Sequence, residues 1–298
     1  MVFRLPSDLY TVVCRPALPK DTADVMAFTR RIWDGHDYVP HYWRDWLEDP
    51  HGLLAIAEYA GHVVGMSKIS WIGGNEWWLQ GLRVDPDHQG KGIASHLHAY
   101  ILDYWERSCR GVLRLATSSM RLPVHHLCER TGFEKVGEYL SYTAPALDAP
   151  AGSFTPVLME DVERALGFVR QSELIRLAFG LIDLDWQWSE PGIDHLSAAV
   201  NVDHAHWWVD GGVNRGLLVT GKEEEEDGSS LTIQLAAGDL DALPKLLMDY
   251  RRLAGSKGCH LAAWMAPNRE EIKDALSQAG FTMDWEHALY LYEKRLPV

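Results

Sequence analysis

The chain has 298 residues, 47% of them hydrophobic, and a formal net charge of −14 at pH 7 with a sequence pI near 5.4. At roughly 150 residues per domain that length suggests two domains, and the acidic balance disfavours nucleic acid or an anionic membrane as the main partner, leaving a cationic or zwitterionic substrate as the better fit. No run of 18 apolar residues occurs and the opening MVFRLPSDLYTVVCR has no signal-peptide pattern, so a soluble, cytoplasmic protein is expected. Cys14, Cys109, Cys128 and Cys259 lie far apart without a CxxC pair; neither a zinc site nor a disulfide framework is expected, and no metal is assigned.

In chain order, LYTVVCRPAL reads as a strand, and KDTADVMAFTRRIW as a helix with Asp21 at its N-cap and Asp24 three residues on. Gly35 should stop that helix, and Pro40 should start a second one, PHYWRDWL, that ends before Pro50. Three strands follow as a meander, LLAIAEY, HVVGMSKISW and EWWLQGLRV, turned at Ala60-Gly61 and Gly73-Gly74. GIASHLHAYILDYWERS is an amphipathic helix with Ile93, Leu97, Tyr100, Ile101 and Tyr104 on one face. VLRLATSS is a strand, VHHLCERTGF a helix closing at Gly132, and EKVGEYLSY a last strand.

APALDAPAGS, residues 144–153, has a linker's composition. The division expected from it is 1–145, a linker 146–153, and 154–298. The second half repeats the tail of the first as strand SLTIQLAA, helix LDALPKLLMDYRRLAGSKG, strand HLAAWMAP, helix REEIKDALSQAGF and strand HALYLYEKRL. The acidic run KEEEEDG, residues 222–228, reads as a solvated hairpin tip.

The junction VDPDHQGKGIASHLHAYIL places Gly90, Lys91 and Gly92 between a strand and a helix, where free N–H groups and the positive end of the helix dipole favour phosphate. GxxxxGK[ST] is absent, and so is GxGxxG with its downstream acid, which excludes a Walker loop and a dinucleotide fingerprint. Gln89, Gly90, Lys91, Gly92, Ile93 and Ala94 instead resemble the [QR]-x-x-G-x-[GA] acyl-CoA loop of the GNAT acetyltransferase superfamily, and the preceding LRVDPDHQGKG is also typical of it. The resemblance covers the whole first half and implies an α/β (α+β) fold of two GNAT-like domains. Each would be a mixed, mostly antiparallel sheet flanked by helices. It implies acetyl-CoA as co-substrate, with the pyrophosphate on that loop and the pantetheine arm along Leu82, Arg83 and Val84. The second domain reads as a degenerate copy, because AAGDLDALPKLLM puts Asp239 and Asp241 where the loop should be.

Amine acetylation needs a base for the amine and an acid for the departing thiolate. Glu76 matches the family's strand glutamate, although it can equally cap a strand end. Cys128 stands where the family's acid tyrosine belongs, and a buried structural thiol is the alternative. His125 and His126 share that helix and are candidates for touching the coenzyme. Trp33, Tyr38, Tyr42, Trp43 and Trp46 surround Asp34, Asp37 and Asp45, a cluster suited to a small amine, with Trp33, Asp37 and Tyr38 as the substrate residues. GHDYVP…WLEDP and IDLDWQWSEP are similar to the histidine N-acetyltransferase group, which implies a free amino acid such as histidine as acceptor. An acyl-CoA sensor without catalysis and a protein or peptide acetyltransferase are the alternatives.

Overall fold

A computed structural model describes residues 11–225 and 228–296. Its backbone contacts separate two compact units: one reaches to Leu115 and takes in the chain end from Glu293, and the other runs from Ala116 to Tyr292. Both are mixed α/β. The linker-like residues 146–153 lie inside the second unit.

The first unit contains β1 (Val13–Pro16), α1 (Thr22–Thr29), α2 (Val39–Glu48), β2 (Gly52–Tyr59), β3 (His62–Gly73), β4 (Glu76–Val84), α3 (Ile93–Ser108) and the start of β5 (Val112–Ser118). Strands β1 to β4 are antiparallel neighbours and β4 pairs with β5 in parallel. The meander turns sit at Ala60-Gly61 and Gly73-Gly74, with Tyr59 opposite His62 and Gly73 opposite Glu76. Leu9 and Tyr10 of the expected first strand lie outside the described residues.

Helix α2 buries Val39, Trp43 and Trp46, spaced by four and three residues, in a core with Val25, Phe28, Ile56 and Met66. Helix α3 buries Ile93, Leu97, Ile101 and Trp105. It can lie close on the sheet because residue 65 is glycine: a Cβ there would stand 3.0 Å from Leu97 and 3.2 Å from Ile93.

The first helix is shorter than expected. It ends at Thr29, and the backbone then turns left-handed at Trp33 (φ 51°) and Asp34 (φ 54°), a conformation the helical periodicity does not announce. Asp21 occupies the N-cap position without capping, because Arg15 takes its carboxylate at 2.7 and 2.8 Å.

The second unit continues with α4 (Leu122–Arg130), β6 (Glu134–Pro145), β7 (Phe154–Pro156), α5 (Val162–Gln171), α6 (Glu173–Leu177), β8 (Ile182–Asp183), β9 (Trp188–Ser189) and α7 (Ile193–Asn201). Then come β10 (Ala205–Asp210), β11 (Val213–Glu225), β12 (Gly228–Gly238), α8 (Leu243–Ser256), β13 (Leu261–Pro267), α9 (Glu270–Gln278), β14 (Thr282–Met283) and β15 (Leu289–Arg295). The sheet order is β6, β13, β12, β11, β10, β7, with β12 and β13 parallel. Glu225 pairs with Gly228, so the acidic run does flank a hairpin; Glu226 and Asp227 at its tip lie outside the described residues.

The element order anticipated after Leu231 is present, but the pairing of the closing strands is not the one a simple repeat suggests. Strand β6, the last of the first half, pairs antiparallel with β13 inside the second unit, Tyr142 opposite Trp264. The residues from Glu293 belong to the first unit, where Lys294 meets Glu106 at 2.7 Å and the Leu296 N–H donates to the Gly111 carbonyl. No helix among the described residues is long and apolar enough to cross a membrane.

Candidate functional site

Gly90 (φ 77°) and Gly92 (φ 78°) are both left-handed, a conformation glycine adopts without penalty. Gly92 precedes α3, and the first helical bond runs from the His96 N–H to the Gly92 carbonyl at 3.1 Å. The N–H groups of Ile93, Ala94 and Ser95 thus have no acceptor among the described residues, and no side chain caps the helix. A Cβ at Gly90 would meet nothing within 4 Å, so the turn faces open space. The nearby carboxylates are occupied: Arg31 holds both Asp85 and Asp87, the latter at 2.7 Å, and His88 meets Asp85 at 3.0 Å. Lys91 lies over the Tyr59 ring, 4.9 Å from its centre. Donors outnumber free acids here, as an anion site requires.

Strand β4 leads into this turn through a bulge. Met66 faces Arg83 and Lys68 faces Gln80, so Gly81 and Leu82 together oppose Ser67, and Gly81 is left-handed at φ 64°. On the other edge β4 pairs with β5 only from Glu76 opposite Val112 to Trp78 opposite Arg114. Beyond Trp78, β4 runs on to Val84 without β5 among the described residues. Leu82, Arg83 and Val84 therefore share a strand edge that an extended ligand can pair with.

The acceptor-side residues converge on the same bulge. A Cβ at Gly81 would stand 3.0 Å from the Trp46 ring, so that ring rests on the bulge. Trp46 stacks on Tyr42 at 6.0 Å and meets Tyr38 edge-on at 6.1 Å, while Trp33 and Tyr42 are 44% and 47% exposed. The wall is aromatic on both its packed and its open side.

Asp37 is not available to a ligand amine. Its carboxylate is buried and bound bidentately by Arg83, Nε at 2.9 Å and Nη2 at 3.0 Å, and also accepts from the Val39 N–H at 3.2 Å. The Arg83 guanidinium lies 4.3 Å from the Trp33 ring centre and 4.9 Å from that of Tyr38. Trp33, Asp37 and Tyr38 do come together, as the sequence suggested, but around Arg83.

Glu76 is engaged by Arg114, a fully buried guanidinium that also reaches Glu293 at 2.7 Å. Cys128 is entirely buried, and desolvation, reinforced by Glu129, pushes its thiol up to about 12. A donor that weak gives its proton to a thiolate of ordinary thiol basicity only uphill, so the structural alternative for Cys128 fits its surroundings better than the acid role. His125 is buried with Nε2 3.0 Å from the Ser118 carbonyl, and His126 is exposed. Burial also raises the Cys109 thiol to about 11. With Cys259 buried too, Ellman's reagent at pH 8 should label Cys14 first, and the other three only after unfolding.

In the second unit the counterpart of the turn is closed. Arg215 binds Asp239 at 3.0 Å and Asp241 at 3.1 Å just ahead of α8, and Pro244 removes one N–H from its first turn. Among the described residues no group of three or more His, Cys, Asp or Glu is placed to hold a metal.

Residues 22–133 match the acetyltransferase (GNAT) family. This segment is a GNAT domain. The chain is 29% identical to the human protein named probable N-acetyltransferase 16 over 60% of its own length and 54% of that protein's. It is 34% identical to histidine N-acetyltransferase of Oreochromis niloticus over 27% of this chain and 24% of that protein. The matched region thus spans about half of the first relative and a quarter of the second. Two solved structures share the fold across nearly the whole chain. A GCN5-related N-acetyltransferase from Sphaerobacter thermophilus has TM-score 0.62 and 14% identity, covering 96% of this chain and 97% of that one. A tandem GNAT protein from the clavulanic acid biosynthesis pathway has TM-score 0.58 and 11% identity, covering 97% and 99%.

Arg114 and Glu293, which flank Glu76 at the base of the GNAT domain's strand opening, were not anticipated from the sequence. The only hint was a charge inside the apolar strand VLRLATSS, and its partner lies 179 residues away.

Proposed function

We propose that the GNAT domain transfers an acetyl group from acetyl-CoA to the amine of a small molecule, and that residues 154–298 derive from a second copy that has lost coenzyme binding. The observation carrying this reading is the open left-handed Gly90–Lys91–Gly92 turn on the unsatisfied N-terminus of α3, continuous with the free edge of β4. Bound acetyl-CoA supplies the acyl thioester. In this reading the N–H groups from Gly90 to Ser95 hold its pyrophosphate, and Leu82, Arg83 and Val84 hold its extended arm by strand pairing. The bulge at Gly81 turns the reacting end toward the aromatic wall of Trp33, Tyr38, Tyr42 and Trp46. The acceptor is a free amino acid, with histidine the leading choice. Support comes from that wall, which suits a flat ring, and from relatives named histidine N-acetyltransferase and, in Danio rerio, N-acetylaspartate synthetase.

Glu76 in this scheme anchors β4 through Arg114, and water protonates the leaving thiolate in place of Cys128. A second reading, an acyl-CoA sensor, is favoured by the engagement of Glu76 and the burial of Cys128. Incubating the protein with acetyl-CoA and a panel of amino acids, and following thiol release, separates the two. The transferase reading expects turnover with at least one free amino acid, histidine among the best. Coenzyme binding without turnover on any amine supports the sensor.

A further inference from the structure

The segment Asp85 to His88 joins β4 to the glycine turn and carries two carboxylates toward a place that favours anions. Its backbone is well held. The Asp85 N–H donates to the Val64 carbonyl at 2.8 Å, and the Asp85 side chain caps the short turn that follows by accepting from the Asp87 N–H at 3.2 Å. The second Asp85 oxygen meets Nδ1 of His88 at 3.0 Å. The His88 ring then meets Tyr59 edge-on at 5.8 Å, and Lys91 of the glycine turn lies over that same Tyr59 ring. Asp85, His88 and Lys91 are thus parts of one contact chain, which fixes the acids beside the turn.

The cation that answers these acids comes from a distant part of the sequence. Arg31 sits just past the end of α1, where its N–H donates to the Phe28 carbonyl at 3.1 Å. Its guanidinium divides between the two carboxylates: Nη1 donates to Asp87 at 2.7 Å and Nη2 to Asp85. Asp87 has no other cation partner among the described residues. The Arg31 side chain is 45% exposed, and ion pairs that open to water stabilise a fold little. Fold stability therefore gains little from this double pairing, whereas the electrostatic field ahead of the turn changes in full.

We propose that Arg31 is a positioning residue for coenzyme binding, acting through Asp85 and Asp87: by holding both carboxylates it offsets their charge beside the N–H groups that receive pyrophosphate. The inference rests on the coenzyme reading given above. Losing Arg31 leaves two uncompensated carboxylates beside a site for an anion, and their repulsion of phosphate extends over about a Debye length, ~10 Å at 0.1 M salt. The same loss with both acids made neutral leaves no such repulsion.

The test is calorimetric titration of acetyl-CoA, at low and at high salt, into the full chain as wild type, as Arg31→Met and as the triple variant Arg31→Met, Asp85→Asn, Asp87→Asn. Asparagine at position 85 keeps an acceptor for the Asp87 N–H, and the thermal midpoint reports folding. The expected result is affinity weakened about fivefold or more in Arg31→Met at low salt, a smaller deficit at high salt, and recovery to near the wild-type value in the triple variant. A merely structural Arg31 would give no recovery when its partners are changed too. Wild-type affinity in Arg31→Met, a deficit that salt leaves unchanged, or a triple variant as weak as Arg31→Met overturns the inference and leaves the coenzyme reading standing. Absence of binding by wild type overturns both. Should Arg31→Met not fold, Asp87→Asn decides, since it removes one carboxylate and leaves Arg31 on Asp85: tighter binding than wild type supports the inference, and equal or weaker binding overturns it.

Discussion

Arg114→Met should destabilise the protein by about 3–5 kcal/mol, the usual penalty for removing one partner from a buried ion pair. Arg114 is fully buried between Glu76 and Glu293, whose side chains are 15% and 10% exposed. Without it two carboxylates are left at the base of β4 and β5, and Glu293 keeps Arg295 at 2.5 Å. At roughly 2–4 °C per kcal/mol for a unit of this size, the thermal midpoint should fall by about 10 °C. The triple variant Arg114→Met, Glu76→Gln, Glu293→Gln should be more stable than Arg114→Met alone, because it leaves no uncompensated charge. Chemical denaturation of the single and triple variants checks both statements. A single variant as stable as wild type would show that the three side chains are not coupled.

Asp37→Asn should likewise cost about 3 kcal/mol or more of stability, since it strands the Arg83 guanidinium beside a neutral amide in a largely buried site. If Asp37 served only to accept the Val39 N–H at the start of α2, asparagine would replace it at little cost. The Arg83 pairing argues for the larger effect, because two parallel bonds at 2.9 and 3.0 Å need the carboxylate. Arg83→Lys should also be damaging, since an ammonium cannot make the bidentate bond or lie flat between Trp33 and Tyr38. Measured unfolding free energies of Asp37→Asn, Arg83→Met and the double variant should be strongly non-additive, with the double variant no worse than either single. Additive losses would mean that the two residues act independently.

Much of the fold was legible because its signals are local. Periodicity gave α2, α3 and the meander, and Ala60-Gly61 and Gly73-Gly74 gave the turns between β2, β3 and β4. The left-handed turn that we propose holds the coenzyme was legible for the same reason: Gly90 and Gly92 shape it through their own backbone, so a six-residue pattern contains most of it. What escaped depends on partners distant in sequence. Asp37 looked available until Arg83, 46 residues on, was seen to occupy it. Glu76 looked like a free carboxylate because Arg114 lies 38 residues beyond it and Glu293 lies 179 residues beyond Arg114. The placement of β6 beside β13 was hidden because both candidate closing strands, EKVGEYLSY and HALYLYEKRL, have the alternation of a central strand. Periodicity states that a strand exists without naming its neighbour.

The central claim is that one coenzyme site exists per chain and that the Gly90–Lys91–Gly92 turn forms it. Calorimetric titration of acetyl-CoA into wild type and Gly92→Asp tests it most directly. Aspartate at this position is forced into a left-handed backbone and sets a negative charge beside the N–H groups that we propose hold the pyrophosphate. One binding event per chain is expected in wild type and none in a folded Gly92→Asp protein. Wild-type-like binding by the variant, or a second event per chain, would contradict it.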